Sequence, residues 1–137
     1  MNTGNSRDVE RLDQQHPARD AVIRQVSAWN GVSIHEHRFG GVEFRLGHRE
    51  LGHLHPLFAD LPFPHHVRDE LVRSGRAKPH HVVPNSGWVT VPMRTAPEAE
   101  NVIALFQQNY ERAKNSVKEL KLEDGITNME KEKDNAQ

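Results

Sequence analysis

Histidine is the chemically versatile residue type that this sequence concentrates most. Ten histidines occur among 137 residues, and all but one lie between His35 and His81. Alternate residues of a β-strand share a face, so His35 and His37 are expected to point to one side, and His53 and His55 likewise. If the two strands are neighbours, four imidazoles converge, and imidazole binds zinc, nickel and iron at neutral pH.

A carboxylate near these histidines would complete either a metal site or an acid–base pair. Asp60 is the better candidate, because Glu36 alternates with the two histidines that flank it and therefore faces the other way. A neutral imidazole also suits proton transfer near pH 7. His53, His55 and Asp60 are therefore the candidate catalytic residues. His53 and His55 are also the candidate ligands of a divalent transition metal, although their pattern commits the site to no particular metal.

The same residues fit a binding pocket that performs no catalysis. Polar groups beside an aromatic side chain are typical of a modest small-molecule site. The predicted ligand-binding set is His53, His55, Asp60, His80, Ser86 and Trp88. Simpler interpretations compete with it: half-exposed or hydrogen-bonded histidines, a turn serine and a tryptophan in the core. The adjacent pairs His65-His66 and His80-His81 are expected to diverge and to lie on the surface.

Composition excludes several classes of protein. The chain has no cysteine, which removes disulfides, thiolate nucleophiles and sulfur-ligated zinc. Its 18 basic and 19 acidic residues nearly cancel, which disfavours nucleic acid, since phosphate neutralisation supplies much of that affinity. Residues 1–11 lack the apolar core of a signal peptide, and no apolar run has the length of a membrane span. We therefore expect a cytoplasmic protein without membrane association, whose partner is an unidentified small molecule; a homodimer is compatible with the sequence.

Periodicity predicts the order of the elements. Apolar residues at helical spacing predict helices over residues 18–29 and 65–74, and a capping box over residues 95–98 opens a third helix. Alternation predicts short strands near residues 32–34, 42–46, 49–55, 57–61, 82–83 and 88–93. Short strands joined by tight turns indicate an α+β fold, with a single antiparallel or mixed sheet packed by helices on one side.

Three stretches of the chain differ in composition. Residues 1–17 are polar and aperiodic, and we expect a disordered lead-in. Residues 18–113 carry the apolar pattern and are expected to form the domain. Residues 114–137 are charged and poor in aromatic side chains, and we expect a mostly mobile tail.

Five short motifs of this sequence resemble those of a family of small bacterial proteins labelled luciferase domain. They are GHLH from Gly52, DLPFP from Asp60, VRDELV from Val67, GRAxPHH from Gly75 and SGWV from Ser86. Their combination is specific, and the resemblance extends over residues 21–113. The positions that it singles out are Gly52, His53, His55, Asp60, Leu61, Pro62, Gly75, Ala77, His80, Ser86, Gly87 and Trp88.

The resemblance implies a domain without an assigned biochemical function, and the family label is not an activity. Bacterial flavin luciferase resembles a complete (β/α)₈ barrel of about 250 residues, which this chain is too short to form. A looser likeness joins the chain to MmcQ/YjbR-like proteins, which share the order of elements and a closing helix that here ends in Asn109-Tyr110. DNA binding has been suggested for that fold, and the neutral charge argues against it here.

Three functions stay open at this point. The first is a small-ligand-binding domain, the second a metal- or histidine-dependent enzyme, and the third a nucleic-acid or protein interaction module. The glycines at Gly40-Gly41 and Gly47 lack the Lys-Ser/Thr of a phosphate loop, and no flavin or nucleotide motif is found. The cofactor is therefore unknown, and a divalent transition metal is the one that the histidines suggest.

Overall fold

The described part of the chain folds as three α-helices and one six-stranded sheet. The structure is a computed structural model that describes the backbone of residues 16–135 and the side chains of residues 16–117. The elements are α1 Pro17–Ser27, β1 Val32–His37, β2 Gly41–Leu46, β3 Arg49–Leu54, β4 Phe58–Pro62, α2 His65–Arg73, β5 Lys78–Pro79, β6 Trp88–Pro92 and α3 Ala96–Asn135. This order confirms the predicted α+β class.

The sheet has the strand order β1-β2-β3-β4-β6-β5. Every neighbouring pair is antiparallel, so the antiparallel alternative of the prediction is the correct one. Tight turns join the first strands, as their glycines predict. One turn of 3₁₀-helix, Arg38–Gly40, links β1 to β2, and Gly47, with φ of 63°, links β2 to β3.

One face of the sheet carries the hydrophobic core. Cross-strand register aligns Val42 with Leu54 and Leu54 with Ala59, and Ala59 in turn with Val91. Helices α1 and α3 cover this face: α1 buries Val22 and Val26, and α3 buries a stripe that includes Val102, Leu105 and Phe106. Phe106 meets the Phe44 ring of β2 edge-on, with ring centroids 5.4 Å apart. The other face of the same strands is therefore free to carry polar residues.

The capping box predicted for the third helix is present. The main-chain N–H of Glu98 donates to Thr95 Oγ1 at 3.2 Å. In return, Glu98 Oε1 accepts the main-chain N–H groups of Arg94 and Thr95. These bonds satisfy donors that the first turn of a helix leaves without intrahelical partners. They fix α3 at the end of β6.

The strand predicted at residues 82–83 is wrong. Val82 and Val83 lie in a loop and are exposed, Val82 by 70%. Both edges of β6 are already paired, one with β4 and the other with Lys78–Pro79. A valine pair beyond Pro79 therefore has no strand edge left on β6, and β5, which the periodicity did not predict, holds the edge beside it.

The predicted ends of the domain are only partly covered by the structure. Residues 1–15 of the predicted lead-in lie outside the described residues, and helix α1 begins at Pro17. Helix α3 continues beyond Ala113 to Asn135, and the mobility of residues 114–137 stays a prediction. Among the described residues, no helix combines the length and apolarity that crossing a membrane requires.

Candidate functional site

A single row of cross-strand partners forms the floor of the candidate site. Glu43 of β2 pairs with His53 of β3, His53 with Asp60 of β4, and Asp60 with Thr90 of β6. Partners in an antiparallel register share a face, and this face is the one opposite helices α1 and α3. The alternation that buries the core therefore also collects these polar residues on the open side.

Gly52 lets strand β3 pass close to its neighbours beside His53. Its φ of 152° is a conformation that side-chain-bearing residues rarely adopt. A Cβ at this position would lie 2.8 Å from Phe106 Cε1 and 2.9 Å from the main-chain oxygen of Asp60. The glycine of the GHLH motif thus permits the close approach of β3 and β4 that brings His53 to Asp60.

Asp60 is the centre of the site and is 1% exposed. Its Oδ1 accepts a hydrogen bond from Thr90 Oγ1 at 2.8 Å. Four imidazole Nε2 atoms surround its Oδ2: His55 at 2.9 Å, His53 and His81 at 3.2 Å, and His80 at 3.4 Å. The bonds from His55 and His81 have hydrogen-bond geometry. A carboxylate oxygen offers about two lone pairs, so four nitrogen atoms at one oxygen exceed what it can accept.

The hydrogen bonds made by Nδ1 define the tautomers of two histidines of the cluster. His53 Nδ1 lies 3.2 Å from Glu50 Oε1, and because a carboxylate only accepts, this nitrogen carries the proton. His80 Nδ1 accepts the main-chain N–H groups of Val82 and Val83, both at 3.1 Å. In neutral His80 the proton therefore sits on Nε2. Neutral His53 presents a free Nε2 lone pair towards Asp60, and neutral His80 presents a donor.

Burial and charge move the pKa values of these groups apart. Burial disfavours the charged form of His53, but the carboxylates of Asp60 and Glu50 outweigh it and raise the pKa to about 9. Burial likewise opposes the charge of Asp60, yet His53, Thr90 and His81 hold its pKa well below its usual range. For His55 and His80, burial prevails and lowers the pKa. Neutral and cationic imidazoles therefore lie side by side around one carboxylate.

Aromatic side chains hold the rings of the cluster in place. His37 stacks on His53 with centroids 4.0 Å apart, and Trp88 packs against the same ring at 5.3 Å. Phe58 stacks on His55 at 4.3 Å. These contacts restrict the rotamers of the imidazoles, as a preorganised site requires.

The structure brings together most of the residues predicted from sequence. His53, His55, Asp60, His80 and Trp88 lie in one cluster, and His37 joins it through its stack on His53. His35 does not, because its Nε2 lies 2.8 Å from Ser33 Oγ on its own edge strand β1. Ser86 also stays apart: its hydroxyl donates to Val83 O in its own loop and accepts the N–H of Trp88 at the start of β6.

His81 is one of the site residues that sequence reasoning missed, with Glu50 and Thr90. The expectation that His80 and His81 diverge is wrong, since their rings stack 4.4 Å apart and both approach Asp60. The His81 main-chain N–H donates to Thr90 Oγ1 at 3.3 Å, which ties the residue to β6. Adjacent side chains diverge on a regular strand, but residues 80–83 leave the sheet after Pro79, and alternation does not describe them.

Two three-residue sets around Asp60 have the spacing of metal ligands. They are His53, His55 and Asp60, and Asp60, His80 and His81; within each set the ligating atoms lie within 4.8 Å of one another. Zinc bonds of about 2.1 Å place tetrahedral ligands about 3.4 Å apart, so both sets are close to the spacing that an ion requires, although His80 Nε2 carries a proton in the neutral form. A third set, His37, Glu50 and His53, lies beside them.

The comparison with known families agrees with the resemblance found in the sequence. Residues 48–109 match the family model described as Luciferase domain, which confirms the predicted resemblance over these residues. The matched segment contains His53, His55, Asp60, His80 and His81, and it excludes β1 and β2. No match to the chain was found among curated proteins or among solved structures.

Proposed function

We propose, on the premise that residues 48–109 form a Luciferase domain, that the domain binds a divalent transition-metal ion and presents it to a small molecule. The proposed ligands are His53 Nε2, His55 Nε2 and Asp60 Oδ2, with His81 Nε2 on the solvent side. The observation that carries the proposal is the approach of four imidazole nitrogens to one buried carboxylate oxygen.

The tautomer of His53 is the strongest argument for a bound cation. With the Nδ1 proton directed at Glu50, neutral His53 has a lone pair on Nε2, which lies 3.2 Å from Asp60 Oδ2. Two acceptor atoms at this distance repel unless a cation lies between them. That cation is either a proton or a metal ion. A ligating histidine whose other nitrogen donates to a carboxylate is the arrangement common in metal proteins.

His80 acts differently in this proposal. Because its Nδ1 accepts two main-chain N–H groups, its neutral form has no lone pair on Nε2 for a metal. We therefore assign His80 as a positioning residue that supports Asp60 from the protein side. His81 has no such restriction, and its side chain is 44% exposed, so it lies where an incoming molecule would reach the ion.

The chemistry of such a centre follows from its ligands. Three imidazoles and one carboxylate suit zinc or iron(II), and an ion that accepts a fifth or sixth ligand would still have a position for a bound molecule. A metal held in this way polarises an oxygen of a bound molecule and lowers the pKa of a bound water. The ligand-binding residues predicted from sequence, apart from Ser86, then form the wall of the same site, and Phe58 joins Trp88 as its second aromatic part.

Metal binding by tag-free protein tests the proposal. Purified chain is treated with chelator and titrated with Zn²⁺ and Co²⁺ by calorimetry, with metal content measured independently by mass spectrometry. We expect about one ion per chain, and a loss of about 100-fold or more in affinity in His53→Ala and Asp60→Asn. His35→Ala is the matched control, since it removes a strand histidine of the same face outside the cluster, and it should bind like the wild type.

Two outcomes would contradict the proposal. One is that the wild type and the variants His35→Ala, His53→Ala and Asp60→Asn all bind each ion with the same affinity. The other is tight binding that Asp60→Asn leaves unchanged, which would put the ion elsewhere. Circular dichroism of each variant shows whether a loss of affinity comes from the ligand or from the fold.

A metal-free proton-transfer site is the second candidate, and the pKa of His53 favours it. A pKa of about 9 keeps His53 protonated at neutral pH beside an ionised Asp60, which suits a general acid. In this case the proton, rather than a metal ion, lies between the two side chains. Absence of metal binding together with proton exchange at His53 in NMR spectra would favour this candidate over the first.

A further inference from the structure

A cleft adjoins the histidine cluster on the open face of the sheet. It encloses about 320 Å³, near the lower limit for small-molecule sites. Its floor comes from three strands, because Phe58 pairs with Pro92 and Lys78 pairs with Thr90. Thr90 is also the partner of Asp60. The floor of the cleft and the proposed metal ligand therefore lie on one face.

Two residues connect the cleft directly to the cluster. Thr90 lines the cleft, and its hydroxyl donates to Asp60 Oδ1 at 2.8 Å. Phe58 also lines the cleft, and its ring stacks on His55 and meets His81 edge-on at 5.2 Å. A molecule in the cleft would therefore lie against residues that contact three of the proposed ligands, Asp60, His55 and His81.

The charge of the cleft indicates the kind of molecule that fits. Lys78 and Arg94 line it with two cations, and neither forms an ion pair with a carboxylate of the described residues. The third charged group, Glu98, has one carboxylate oxygen occupied by the N–H groups that cap α3. One positive charge is left over, which matches a monoanion better than a dianion.

We infer that this cleft binds a small organic carboxylate, with its carboxylate between Lys78 and Arg94 and its apolar part on Leu57, Phe58 and Pro92. The inference deepens the proposed function and rests on it for one point, namely that the bound molecule lies next to a metal ion. The binding of the carboxylate itself depends only on the cleft. The substrate class of the centre would then be a monocarboxylic acid with a short apolar body.

Hexanoate is a suitable probe, with hexanamide as its neutral counterpart. Binding to the full chain is measured by NMR titration in the metal-free and the zinc-loaded protein. We expect hexanoate to bind more tightly than hexanamide. Lys78→Met and Arg94→Met should each weaken hexanoate binding about threefold, and the double variant about tenfold, as partly exposed ion pairs do. Lys78→Arg, which keeps the charge, and Arg24→Met on helix α1 should retain wild-type binding.

The two proposals fail in different ways in this experiment. Equal affinity of the wild type and the double variant for hexanoate would overturn the cleft inference, whatever zinc does. Charge-dependent hexanoate binding by a chain that takes up no zinc would support the cleft as a carboxylate site and overturn the metal centre. If both bind, the Co²⁺-loaded protein should change its visible absorption on adding hexanoate; an unchanged spectrum would overturn the contact between them.

Discussion

The two faces of the sheet are built from the same strands and are buried by different means. On the face under α1 and α3, Phe44, Leu54, Ala59, Leu61, Val89 and Val91 are fully buried by helices. On the other face, Asp60 is just as buried, yet imidazole rings, Trp88 and the loop after β5 cover it. Asp60 lies between Ala59 and Leu61 in the chain, so a single residue step separates a hydrophobic core from a polar cluster.

The stability of the protein and its binding therefore depend on different faces of the sheet. Apolar burial under the helices supplies free energy of folding roughly in proportion to area. A buried carboxylate with several imidazoles contributes little net stability, because desolvation opposes the attraction between the charges. Substitutions under the helices should therefore cause the larger losses of stability, and substitutions on the open face should mainly change what the protein binds.

The largest effect is expected on the apolar face. Phe106→Ala removes a fully buried ring that packs on Phe44 and lies below Gly52, and it should lower the free energy of unfolding by about 3–5 kcal/mol. Urea unfolding followed by circular dichroism measures the loss. Asp60→Asn, on the other face of the sheet, should cost less stability than Phe106→Ala while removing metal binding. The reverse order would contradict the division between the two faces.

Alternation alone was enough to predict most of this division. It put His53 and His55 on one face, chose Asp60 over Glu36 and predicted the strands that carry them. The capping box at Thr95 was likewise readable from sequence, because it is a local contact between residues three apart. Each of these features depends on the geometry of one regular element, which repeats with a fixed period.

The features that could not be predicted from sequence depend on the path of irregular backbone and on the neighbours that it reaches. Val82 and Val83 have strand propensity, but both edges of β6 are taken. His81 reaches Asp60 because the chain leaves the sheet after Pro79 and His80 caps the N–H groups of its own loop. His35 lies opposite Glu43 in the same row, but its ring hydrogen-bonds Ser33 on its own strand, whereas the ring of His37 stacks on His53. The path of the chain and the orientation of single side chains, rather than the alternation of the strand, decide these outcomes.

A pH series of the metal-free protein tests the polar face. His53 has a pKa of about 9 in the folded protein against an ordinary 6.5. Its contribution to stability is therefore complete below pH 6.5 and is lost as the pH rises through 9. We expect the free energy of unfolding to fall on the order of 2 kcal/mol across this window, measured with urea in the presence of chelator.

The carboxylates beside His53 provide a control variant for the pH series. Asp60 and Glu50 raise its pKa, while His55 and His80, whose pKa values are lowered, act below pH 6.5 and outside the window. Glu50→Gln removes one of the two carboxylates and should flatten the decline. A stability that is constant or increases between pH 6.5 and 9 would show that His53 is not held in its charged form.

The smallest effect separates two adjacent histidines of the cluster. In the proposed centre His81 is a ligand, and His80 positions Asp60 and its own loop. His81→Ala should therefore weaken Zn²⁺ or Co²⁺ binding strongly, whereas His80→Ala should weaken it about tenfold, as loss of a supporting residue does. Calorimetric titration of the two variants under the same conditions measures the difference.

His80→Asn makes this comparison sharper. The asparagine side chain can supply an oxygen where His80 Nδ1 accepts the N–H groups of Val82 and Val83, but it cannot reach Asp60 as the imidazole does. If His80 acts mainly by holding the loop that carries His81, His80→Asn should recover most of the affinity that His80→Ala loses. If His80→Asn binds the ion no better than His81→Ala does, then His80 ligates the ion directly. Its Nε2 must then lose its proton, and the tautomer inferred from the hydrogen bonds of the loop is wrong.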